Sequence, residues 1–424
     1  MIKNKKILVL GKGGSGRAAF ELLKKDNNVS ILETTETNCN IYNEIDKSDI
    51  IVVSPGIPCW NSLIEYARIA DKKILGELEV GYLYCKSKNI IAVTGTNGKT
   101  TTVNLIHKLL KAAGKKVFLL GNIGVPFCSC VQDIEEDDYV ILEVSSFQLY
   151  SVSSFRAKVA VFLNFKCDHL NWHLTLDNYF NSKCKIFSNQ KEKDFAILNY
   201  DDDYVSKIGN INSKKLYFGS NSDCLCYLKN NCIYYGGEII CSTEKLLLLG
   251  KHNLYNIMAA ILSVKTLLPD MDNSIICEIL SSFKNGEHRL EYVCEKSGIV
   301  FINDSKSTNP ASTSAAIDSL FYPITLILGG SDKNTDFDEI FLHTEKINKI
   351  IVTGDTKNKI FATAINHGFY NVMIKDKLED AIIAAYKNTA PGGVVLFSPG
   401  CASFDSFNNY EERGNFFKRA VYSI

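Results

Sequence analysis

The sequence predicts an α/β protein built on parallel sheets, and three observations support this fold class. Short runs of Val, Ile and Leu that do not alternate with polar residues are typical of strands buried on both faces. Helical patterns fill the intervals between most of these runs. Nearly every run ends in a glycine or a polar cluster, and ligands of open parallel sheets bind at the carboxyl ends of the strands. We therefore expect the chemistry to be spread over several sheet edges.

The elements follow one another along most of the chain. Strands are predicted at Ile7–Leu10, Val29–Leu32, Ile50–Val53, Ile90–Thr94, Val117–Leu120, Tyr139–Val144, Val159–Leu163, Phe195–Leu198, Ile299–Ile302, Ile324–Leu328, Ile350–Thr353 and Val394–Phe397. Helices are predicted at Gly16–Lys25, Thr101–Ala113, Asn253–Leu268 and Glu379–Lys387. Residues 199–250 are richer in Asp, Asn and Ser and predict hairpins and loops.

Length and composition limit the possible classes of protein. At roughly 150 residues per domain, 424 residues suggest about three domains, and interruptions of the pattern place them at 1–88, 89–286 and 287–424. Lys plus Arg (47) equals Asp plus Glu (47), which argues against a nucleic-acid partner that depends on overall positive charge. No apolar run is long enough for a membrane span, and the first run is too short for a signal peptide. Fourteen cysteines without a Cys-x-x-Cys pair indicate reduced thiols and a cytoplasmic location.

A glycine-rich turn follows the first strand. Gly11-Lys-Gly13-Gly-Ser-Gly16 matches G-x-G-x-x-G, opens a helix and is followed by Glu33 at the end of the second strand. Such glycines let the backbone approach a pyrophosphate at a helix N-terminus. The motif does not distinguish NAD from another diphosphate ligand, and Ser54-Pro-Gly after the third strand is expected to face the same crevice.

A second glycine loop lies between a buried strand and a helix. In Thr94-Gly95-Thr-Asn-Gly98-Lys99-Thr100-Thr101, loop N–H groups would hold phosphates, Lys99 would reach the β- and γ-phosphates and Thr100 would bind Mg²⁺. The loop departs from G-x-x-x-x-G-K-[ST], because Val93 holds the place of the first glycine. Glu143, at the end of another buried strand, suits a further Mg²⁺ contact.

Other polar groups also follow predicted strands. Asp168, His169 and His173 come after one strand and invite a metal role, while Lys183 and Lys185 on the next helix would ordinarily be solvated cations. Asn253 and Asn256 share a helix face, where paired amides can read the edge of a base. Lysines and hydroxyls after strands of the last unit predict an anion site, here for a carboxylate substrate.

Taken in this order, the motifs resemble those of the Mur ligases, the ATP-dependent amide ligases of peptidoglycan precursor synthesis. Thr94–Thr100, His252-Asn-x-x-Asn256 and the Asp168-His169…Lys183 segment are similar to the whole ligase superfamily. Glu143-Val-Ser-Ser-Phe-Gln148, Asn303–Asn309 and Ser398-Pro-Gly-Cys-Ala-Ser-Phe-Asp resemble the member that adds D-glutamate to UDP-N-acetylmuramoyl-L-alanine. The resemblance implies three domains: a Rossmann-like UDP-binding domain, a P-loop ATPase-like central domain and a Rossmann-like C-terminal domain.

The resemblance also implies roles for particular residues. The UDP substrate would be held by Gly14, Ser15, Glu33, Thr34, Ser54, Pro55, Gly56, Asn122 and Gln148. ATP would be held by Gly95, Thr96, Asn97, Gly98, Lys99, Thr100, Thr101, Asn256, Arg289 and Asp304. D-Glutamate would be held by Lys306, Thr308, Lys333, Ser403 and Tyr410. Two Mg²⁺ ions would be bound by Thr100, Glu143, His169 and Lys183, with Lys183 carbamylated by CO₂. Lys99, His169 and Lys183 would be the catalytic residues. The chain departs from the family pattern at Thr35, where arginine is common, and at Tyr410, where phenylalanine is common.

By the same resemblance, the substrate carboxylate attacks the γ-phosphate and the amine of D-glutamate attacks the resulting acyl phosphate. The protein would act as a cytoplasmic monomer that supports cell-wall biogenesis, cell shape and cell division.

Four other interpretations compete with this one. One is another Mur ligase, although the Asp-Asn-Pro-Arg segment by which the next ligase selects diaminopimelate does not occur in this sequence. A folylpolyglutamate synthase shares the ATP loop but should lack a leading diphosphate-binding domain. An NAD-dependent oxidoreductase leaves the Lys99 loop unexplained. A nucleotide-sensing protein without enzymatic activity leaves Asp168, His169 and Lys183 unexplained.

Overall fold

The computed structural model describes residues 1–34, 41–248, 250–284, 286–320, 323–332 and 335–424. The strands are β1 (Lys6–Leu10), β2 (Asn28–Leu32), β3 (Ile50–Val53), β4 (Lys73–Gly76), β5 (Asn89–Thr94), β6 (Val117–Gly121), β7 (Tyr139–Glu143), β8 (Val159–Phe162), β9 (Phe195–Asn199), β10 (Lys214–Gly219), β11 (Cys226–Lys229), β12 (Cys232–Tyr235), β13 (Glu238–Ser242), β14 (Glu291–Lys296), β15 (Ile299–Asn303), β16 (Ile324–Leu328), β17 (Ile347–Val352), β18 (Val372–Ile374) and β19 (Val394–Phe397). The α-helices are α1 (Gly14–Leu23), α2 (Ile41–Lys47), α3 (Ser62–Ile69), α4 (Glu77–Tyr84), α5 (Lys99–Ala112), α6 (Phe127–Cys130), α7 (Ser146–Tyr150), α8 (Leu170–His173), α9 (Leu176–Cys184), α10 (Lys251–Leu267), α11 (Asn273–Ser282), α12 (Pro310–Asp318), α13 (Lys357–Asn366), α14 (Leu378–Asn388) and α15 (Tyr410–Ser423).

The first sheet is fully parallel, with the strand order β2-β1-β3-β4. Its central strands β1 and β3 are buried on both faces, as their unbroken apolar runs predict. Helices α1 and α4 contribute apolar residues to the core on one face, and α2 and α3 contribute to the core on the other. The strand ends therefore form an open edge between two helical layers.

The second sheet has nine strands in the order β13-β12-β11-β10-β9-β8-β5-β7-β6. The strands from β5 to β10 run parallel to their neighbours, and α5 packs on β6 and β7. β11, β12 and β13 form antiparallel hairpins, which agrees with the prediction for residues 199–250. That prediction missed β10, which pairs in parallel with β9 although its sequence is polar at one end.

The third sheet has the order β14-β15-β19-β16-β17-β18. Only the β14–β15 pair is antiparallel among its described pairings. Separate cores cover the two faces, and α14 and α15 contribute to one of them. The predicted α/β class with parallel sheets is confirmed.

The chain divides into two compact units. One comprises residues 1–245 and 255–282 and holds the first two sheets, and the other comprises 246–254 and 283–424 and holds the third. The three-domain division at residues 88 and 286 stays a prediction. Within the described residues, no helix is long and apolar enough to span a membrane.

Candidate active site

The loop between β5 and α5 is shaped by two glycines with positive φ. Gly95 has φ +151° and Gly98, which precedes the first residue of α5, has φ +85°. A Cβ on Gly98 would lie 2.1 Å from Oδ1 of Asn256 in α10, so the asparagine side chain rests against the loop backbone. Only glycine combines this dihedral with this close approach. The structure thus brings Asn256 to the loop that begins α5, where N–H groups and the helix dipole favour phosphate.

Asn164, which follows β8, fixes the middle of this loop. Its Oδ1 accepts a hydrogen bond from Asn97 N at 2.9 Å, and its Nδ2 donates to Asn97 O at 3.0 Å. Its backbone carbonyl also accepts from Thr96 N at 2.9 Å. One side chain from a neighbouring strand therefore sets the loop conformation. Sequence reasoning gave Asn164 no role, although a polar residue at the end of a buried strand was a usable signal.

Two lysine side chains meet at the carbonyl oxygen of Gly95. Lys99 Nζ lies 2.8 Å from Gly95 O and 2.9 Å from Thr96 O, and Lys183 Nζ of α9 also lies 2.8 Å from Gly95 O. Lys183 is 2% exposed. Burial, followed by the charge of Lys99, holds the pKa of Lys183 well below the ordinary lysine value. Asp168 and Glu143 are near enough to oppose that shift.

The carboxylate of Glu143, at the end of β7, accepts hydrogen bonds from a hydroxyl and from a side-chain amide. Its Oε2 accepts from the Thr100 hydroxyl at 2.8 Å, and its Oε1 accepts from Asn122 Nδ2 at 3.0 Å. Glu143 is buried at 3% exposure. A hydroxyl and a carboxylate at the start of a phosphate-binding helix form the donor set that Mg²⁺ prefers, so these residues fit the implied ion. Asn122, predicted to contact the muramoyl group, lies here as a neighbour of the carboxylate.

Lys183 and Lys185 point to different surroundings, although they are two residues apart. Lys183 Nζ stands over the ring of Tyr179 at 4.8 Å, and the Tyr179 hydroxyl contacts Thr96 Oγ1 at 3.2 Å. Lys185 Nζ instead donates to Tyr150 O at 2.6 Å. The loop after β5 therefore faces Lys183, and Lys185 belongs to another environment.

His169 and His173 also differ in environment. His169 has φ +55°, its Nε2 lies 3.6 Å from Asp168 Oδ2, and its ring stacks edge-on with Phe147 at 4.9 Å. His173 is 1% exposed, and its Nε2 lies 2.9 Å from Ser146 Oγ. Burial, with the neighbouring charges of His169 and Lys183, lowers the pKa of His173 to about 4. His173 is thus a neutral packing residue, and His169 is the histidine with an accessible ring.

The first sheet carries its own glycine turn. Gly11 has φ +97°, and a Cβ on Gly16 would lie 1.9 Å from Gly11 O, so α1 packs directly on the turn. The backbone N–H of Lys12 donates to Glu33 Oε1 at 2.6 Å, and Ser54 Oγ donates to Gly11 O at 3.2 Å. The ends of β1, β2 and β3 are therefore joined into one edge.

The other residues assigned to the UDP substrate lie at or near this edge, except Gln148 and Asn122, which lies beside Glu143. Gly14 and Ser15 open α1, Thr34 follows β2, and Pro55 and Gly56 follow β3. Gln148 lies in α7 of the second sheet's layer and is buried. Its Oε1 accepts from Ser145 N at 3.0 Å, which closes a capping box at the start of α7.

The second compact unit has a buried carboxylate at the end of β15. Asp304 Oδ2 accepts from Ser307 Oγ at 2.6 Å and from Ser398 Oγ at 2.7 Å. Burial raises the pKa of Asp304, while these hydroxyls and the charge of Arg289 oppose the rise. Arg289 Nε is buried and has no hydrogen-bond partner among the described residues. Asp304 and Arg289, both assigned to ATP from the sequence, are therefore close neighbours.

The residues assigned to D-glutamate follow β15 and β19 in the same unit. Lys306 Nζ lies 5.2 Å from the ring centroid of Tyr410, the first residue of α15. Thr308 is half-buried, and Ser403 is buried at 2% exposure. Lys333 lies outside the described residues, as does Thr35.

Arg413 of α15 belongs to the segment after β19 that sequence reasoning assigned to an anion site, but this arginine received no role of its own. It is 2% exposed and donates to Ser305 Oγ at 3.0 Å, Ser305 O at 2.8 Å and Ala402 O at 2.9 Å. It thereby joins the segments after β15 and β19. A buried arginine bound mainly to carbonyl groups leaves no pattern in a single sequence.

No group of three or more His, Cys, Asp or Glu side chains suited to a metal occurs among the described residues. The ligands implied by the resemblance include a threonine hydroxyl (Thr100) and a modified lysine (Lys183) beside Glu143 and His169, so they do not require such a group.

Comparison with known proteins agrees with this geometry. Residues 93–264 match the family description "Mur ligase middle domain", and residues 288–401 match "Mur ligase, glutamate ligase domain". A UDP-N-acetylmuramoylalanine--D-glutamate ligase from Thermoanaerobacter sp. (strain X514) is 36% identical, covering 99% of this chain and 98% of the relative. The enzyme of the same name from Caldanaerobacter subterraneus subsp. tengcongensis is 37% identical, covering 100% and 99%.

Solved structures show the same fold at low sequence identity. The MurF ligase from Thermotoga maritima in complex with ADP has a TM-score of 0.66 at 18% identity, covering 100% of this chain and 96% of that one. The UDP-N-acetylmuramate-alanine ligase of the same organism has a TM-score of 0.63 at 19% identity, covering 99% and 100%. The fold, both family matches and the full-length relatives lead to one conclusion: the chain belongs to the Mur ligase family.

Proposed function

We propose that this protein is an ATP-dependent ligase that joins D-glutamate to UDP-N-acetylmuramoyl-L-alanine in peptidoglycan precursor synthesis. The observation that carries the proposal is the loop after β5, where Gly98 packs on Asn256 and Lys99 lies beside a buried lysine. Full-length relatives bearing the name of this ligase support the choice of amino acid.

The central loop is proposed to hold the triphosphate of ATP. N–H groups at the start of α5 and the Lys99 ammonium supply positive charge where the γ-phosphoryl group would be transferred. Asn256, against Gly98, is proposed to face adenine. Arg289 and Asp304 are proposed to contact the phosphates and the ribose.

Magnesium is proposed to bind at Thr100 and Glu143 and at His169 with a carbamate on Lys183. When bound, the ions would neutralise charge on the transferred phosphoryl group. The buried amine of Lys183 fits carbamylation, because its lowered pKa favours the neutral form that attacks CO₂. The neutral amine joins its nitrogen to the carbon of CO₂ and releases one proton, so it becomes an anion with two oxygen atoms; starting from the ammonium form, two protons are released in all.

The ligation itself needs two steps. The carboxylate of the UDP substrate attacks the γ-phosphorus, forming an acyl phosphate and ADP. The D-glutamate amine then attacks the acyl carbon, phosphate leaves, and the amine loses a proton. Lys306, Thr308, Lys333, Ser403 and Tyr410 are proposed to hold D-glutamate so that its amine reaches the acyl carbon before water does.

The first sheet is proposed to bind the UDP group rather than NAD. Gly14 and Ser15 open α1 at the glycine turn, and Glu33 and Ser54 tie that turn to the next strands. Asn122 and Gln148 are proposed to lie toward the muramoyl part. We further propose that the three domains 1–88, 89–286 and 287–424 act together in a cytoplasmic monomer.

One assay tests the function directly. Purified protein is given ATP, Mg²⁺, UDP-N-acetylmuramoyl-L-alanine and one amino acid at a time, and released phosphate is measured. We expect release with D-glutamate and little with L-glutamate, L-lysine or meso-diaminopimelate. Equal release with another amino acid would refute the specificity, and release that requires no UDP substrate would refute the ligase assignment.

A further inference from the structure

A cavity of about 190 Å³ lies between the first sheet and the segment that follows β7. Its walls include Ile64 of α3, Ile74 of β4, Phe147 of α7 and Trp172 of α8. Its volume is slightly larger than that of an engineered protein cavity of about 150 Å³ that binds benzene. The space therefore suits a ligand with one ring or one branched chain and a single polar group.

One cation lines this cavity and a second contacts a lining residue, and neither has a carboxylate partner among the described residues. Arg68, which lines it, donates to the Tyr150 hydroxyl at 3.2 Å and to Cys59 O at 3.3 Å. Lys185 donates to Tyr150 O at 2.6 Å, with its Nζ 4.7 Å from the Tyr150 ring centroid. All of these acceptors are neutral, so the two positive charges are not compensated locally.

Arg68 and Lys185 both donate to Tyr150, one to its hydroxyl and the other to its carbonyl oxygen. An anion in this region would therefore offset two positive charges.

Trp172 forms part of the apolar wall of the cavity. The residue is 7% exposed, so a ligand packed against its indole would change the surroundings of a largely buried fluorophore.

The cavity is separate from most of the edge assigned to the UDP substrate. Of the residues assigned to that substrate, only Ser54 and Pro55 line it. The strand order β2-β1-β3-β4 places the cavity at the β3–β4 end of the sheet, whereas the glycine turn and Glu33 follow β1 and β2.

We propose that this cavity is a binding site for a small organic anion, an aromatic or branched-chain monocarboxylate, separate from the ligase substrates. The apolar part of the ligand packs against Phe147 and Trp172, and its carboxylate lies beside Arg68 and Lys185. The proposal does not depend on the ligation reaction.

The test uses benzoate as the probe and calorimetry on the full-length protein. We expect a dissociation constant of about 1 mM or tighter, which is typical of a ligand with so few atoms. Benzamide has the same shape without charge and should bind at least about tenfold more weakly, and acetate, which lacks the ring, should do likewise. Equal affinity for benzoate and benzamide, or no saturation by about 20 mM benzoate, would overturn the proposal.

Variants locate the site. Arg68→Gln should weaken benzoate binding at least about tenfold, whereas Arg419→Gln, an exposed arginine of α15, should leave it unchanged. In Trp60→Phe, Trp172 is the sole tryptophan, and benzoate should change its fluorescence. Unchanged affinity in Arg68→Gln or unchanged fluorescence in Trp60→Phe would place benzoate elsewhere and overturn the assignment.

A final binding measurement tests whether this site is distinct from the site of the UDP substrate. Benzoate affinity is measured again with saturating UDP-N-acetylmuramoyl-L-alanine, and we expect it to persist. Displacement of benzoate would assign the cavity to the UDP substrate and overturn a separate site. The measurement follows binding and not turnover, so its result is independent of whether the ligase activity is found.

Discussion

Replacing Lys183 with methionine should abolish ligation and leave the folded protein about as stable as before. Methionine is similar in volume and apolar, and the variant loses one hydrogen bond, to Gly95 O at 2.8 Å, worth about 0.5–1.5 kcal/mol. Above about pH 10 the amine is neutral in both the folded and the unfolded chain, so the cost of burying its charge does not enter the comparison. At that pH the free energy of unfolding should therefore fall by no more than about 1.5 kcal/mol, or about 3 °C in Tm.

Activity should respond quite differently from stability. If a carbamate on Lys183 is a magnesium ligand, phosphate release should fall at least about a hundredfold in Lys183→Met. Short carboxylates such as acetate should restore part of the activity of Lys183→Ala, because they return an oxygen anion to the site. Lys185→Met is the matched control and should keep its activity, because Lys185 Nζ contacts Tyr150 O instead of the loop. Full activity in Lys183→Met, or loss and rescue at Lys185 instead, would refute the reasoning.

The pH dependence of stability gives a second readout for the same residue. The pKa of Lys183 is lower in the folded protein than in the unfolded chain. At pH values between these two pKa values, the unfolded chain therefore binds one proton more than the folded protein does. The wild type therefore carries a penalty that disappears as pH rises through that window. In CO₂-depleted buffer, the free energy of unfolding of Lys183→Met relative to wild type should fall as pH rises toward the ordinary lysine pKa of about 10.4. A difference independent of pH would contradict the burial argument.

Three further predictions concern residues with defined contacts. Gly98→Ala should abolish ATP binding in calorimetry, because its Cβ would lie 2.1 Å from a side-chain oxygen of α10. Gly114→Ala is the control: Gly114 also has a positive φ, but a Cβ there would have nothing within 4 Å. This variant should lose only about 1 kcal/mol of stability. Glu79→Gln should lower the free energy of unfolding in urea by about 1–3 kcal/mol, because the Glu79 carboxylate accepts five hydrogen bonds from residues 153–155. Glu77→Gln should change the free energy of unfolding little, because burial raises the pKa of Glu77. A comparable loss in both glutamine variants would refute that distinction. Because the pKa of His173 is lowered to about 4, the fold should lose stability as pH falls from about 6.5 to about 4. His173→Gln should remove that part of the acid sensitivity. An unchanged dependence of stability on pH in this variant would contradict the prediction.

Much of the fold follows from apolar runs in the sequence. Strands such as β1, β3, β5 and β16 are buried on both faces, so their runs of Val, Ile and Leu are unbroken and easy to recognise. β4 was missed because only Ile74 and Leu75 of its four residues are large and apolar, and β18 was missed because it has three residues. β14 was missed because its polar residues face outward on an antiparallel edge. Edge strands bury less surface, so their composition is under weaker constraint.

The glycine loop of the candidate site was readable from the sequence, and its supporting contacts were not. The glycines in the segment from Gly95 to Thr100 indicate from the sequence alone where the backbone needs a positive φ. Asn164 reaches that loop across 67 residues of sequence, and Arg413 reaches Ser305 across 108. Contacts of this kind depend on which strands become neighbours, which local patterns do not specify.

The contacts of Asn164 have a consequence for binding thermodynamics. Because one amide holds both the N–H and the carbonyl of Asn97, the loop has little backbone freedom left to lose when it surrounds a phosphate chain. Nucleotide association is then expected to carry a small conformational entropy cost. Its rate should be governed by encounter and charge more than by loop rearrangement. A site that is rigid at its centre therefore has its binding conformation before the nucleotide arrives.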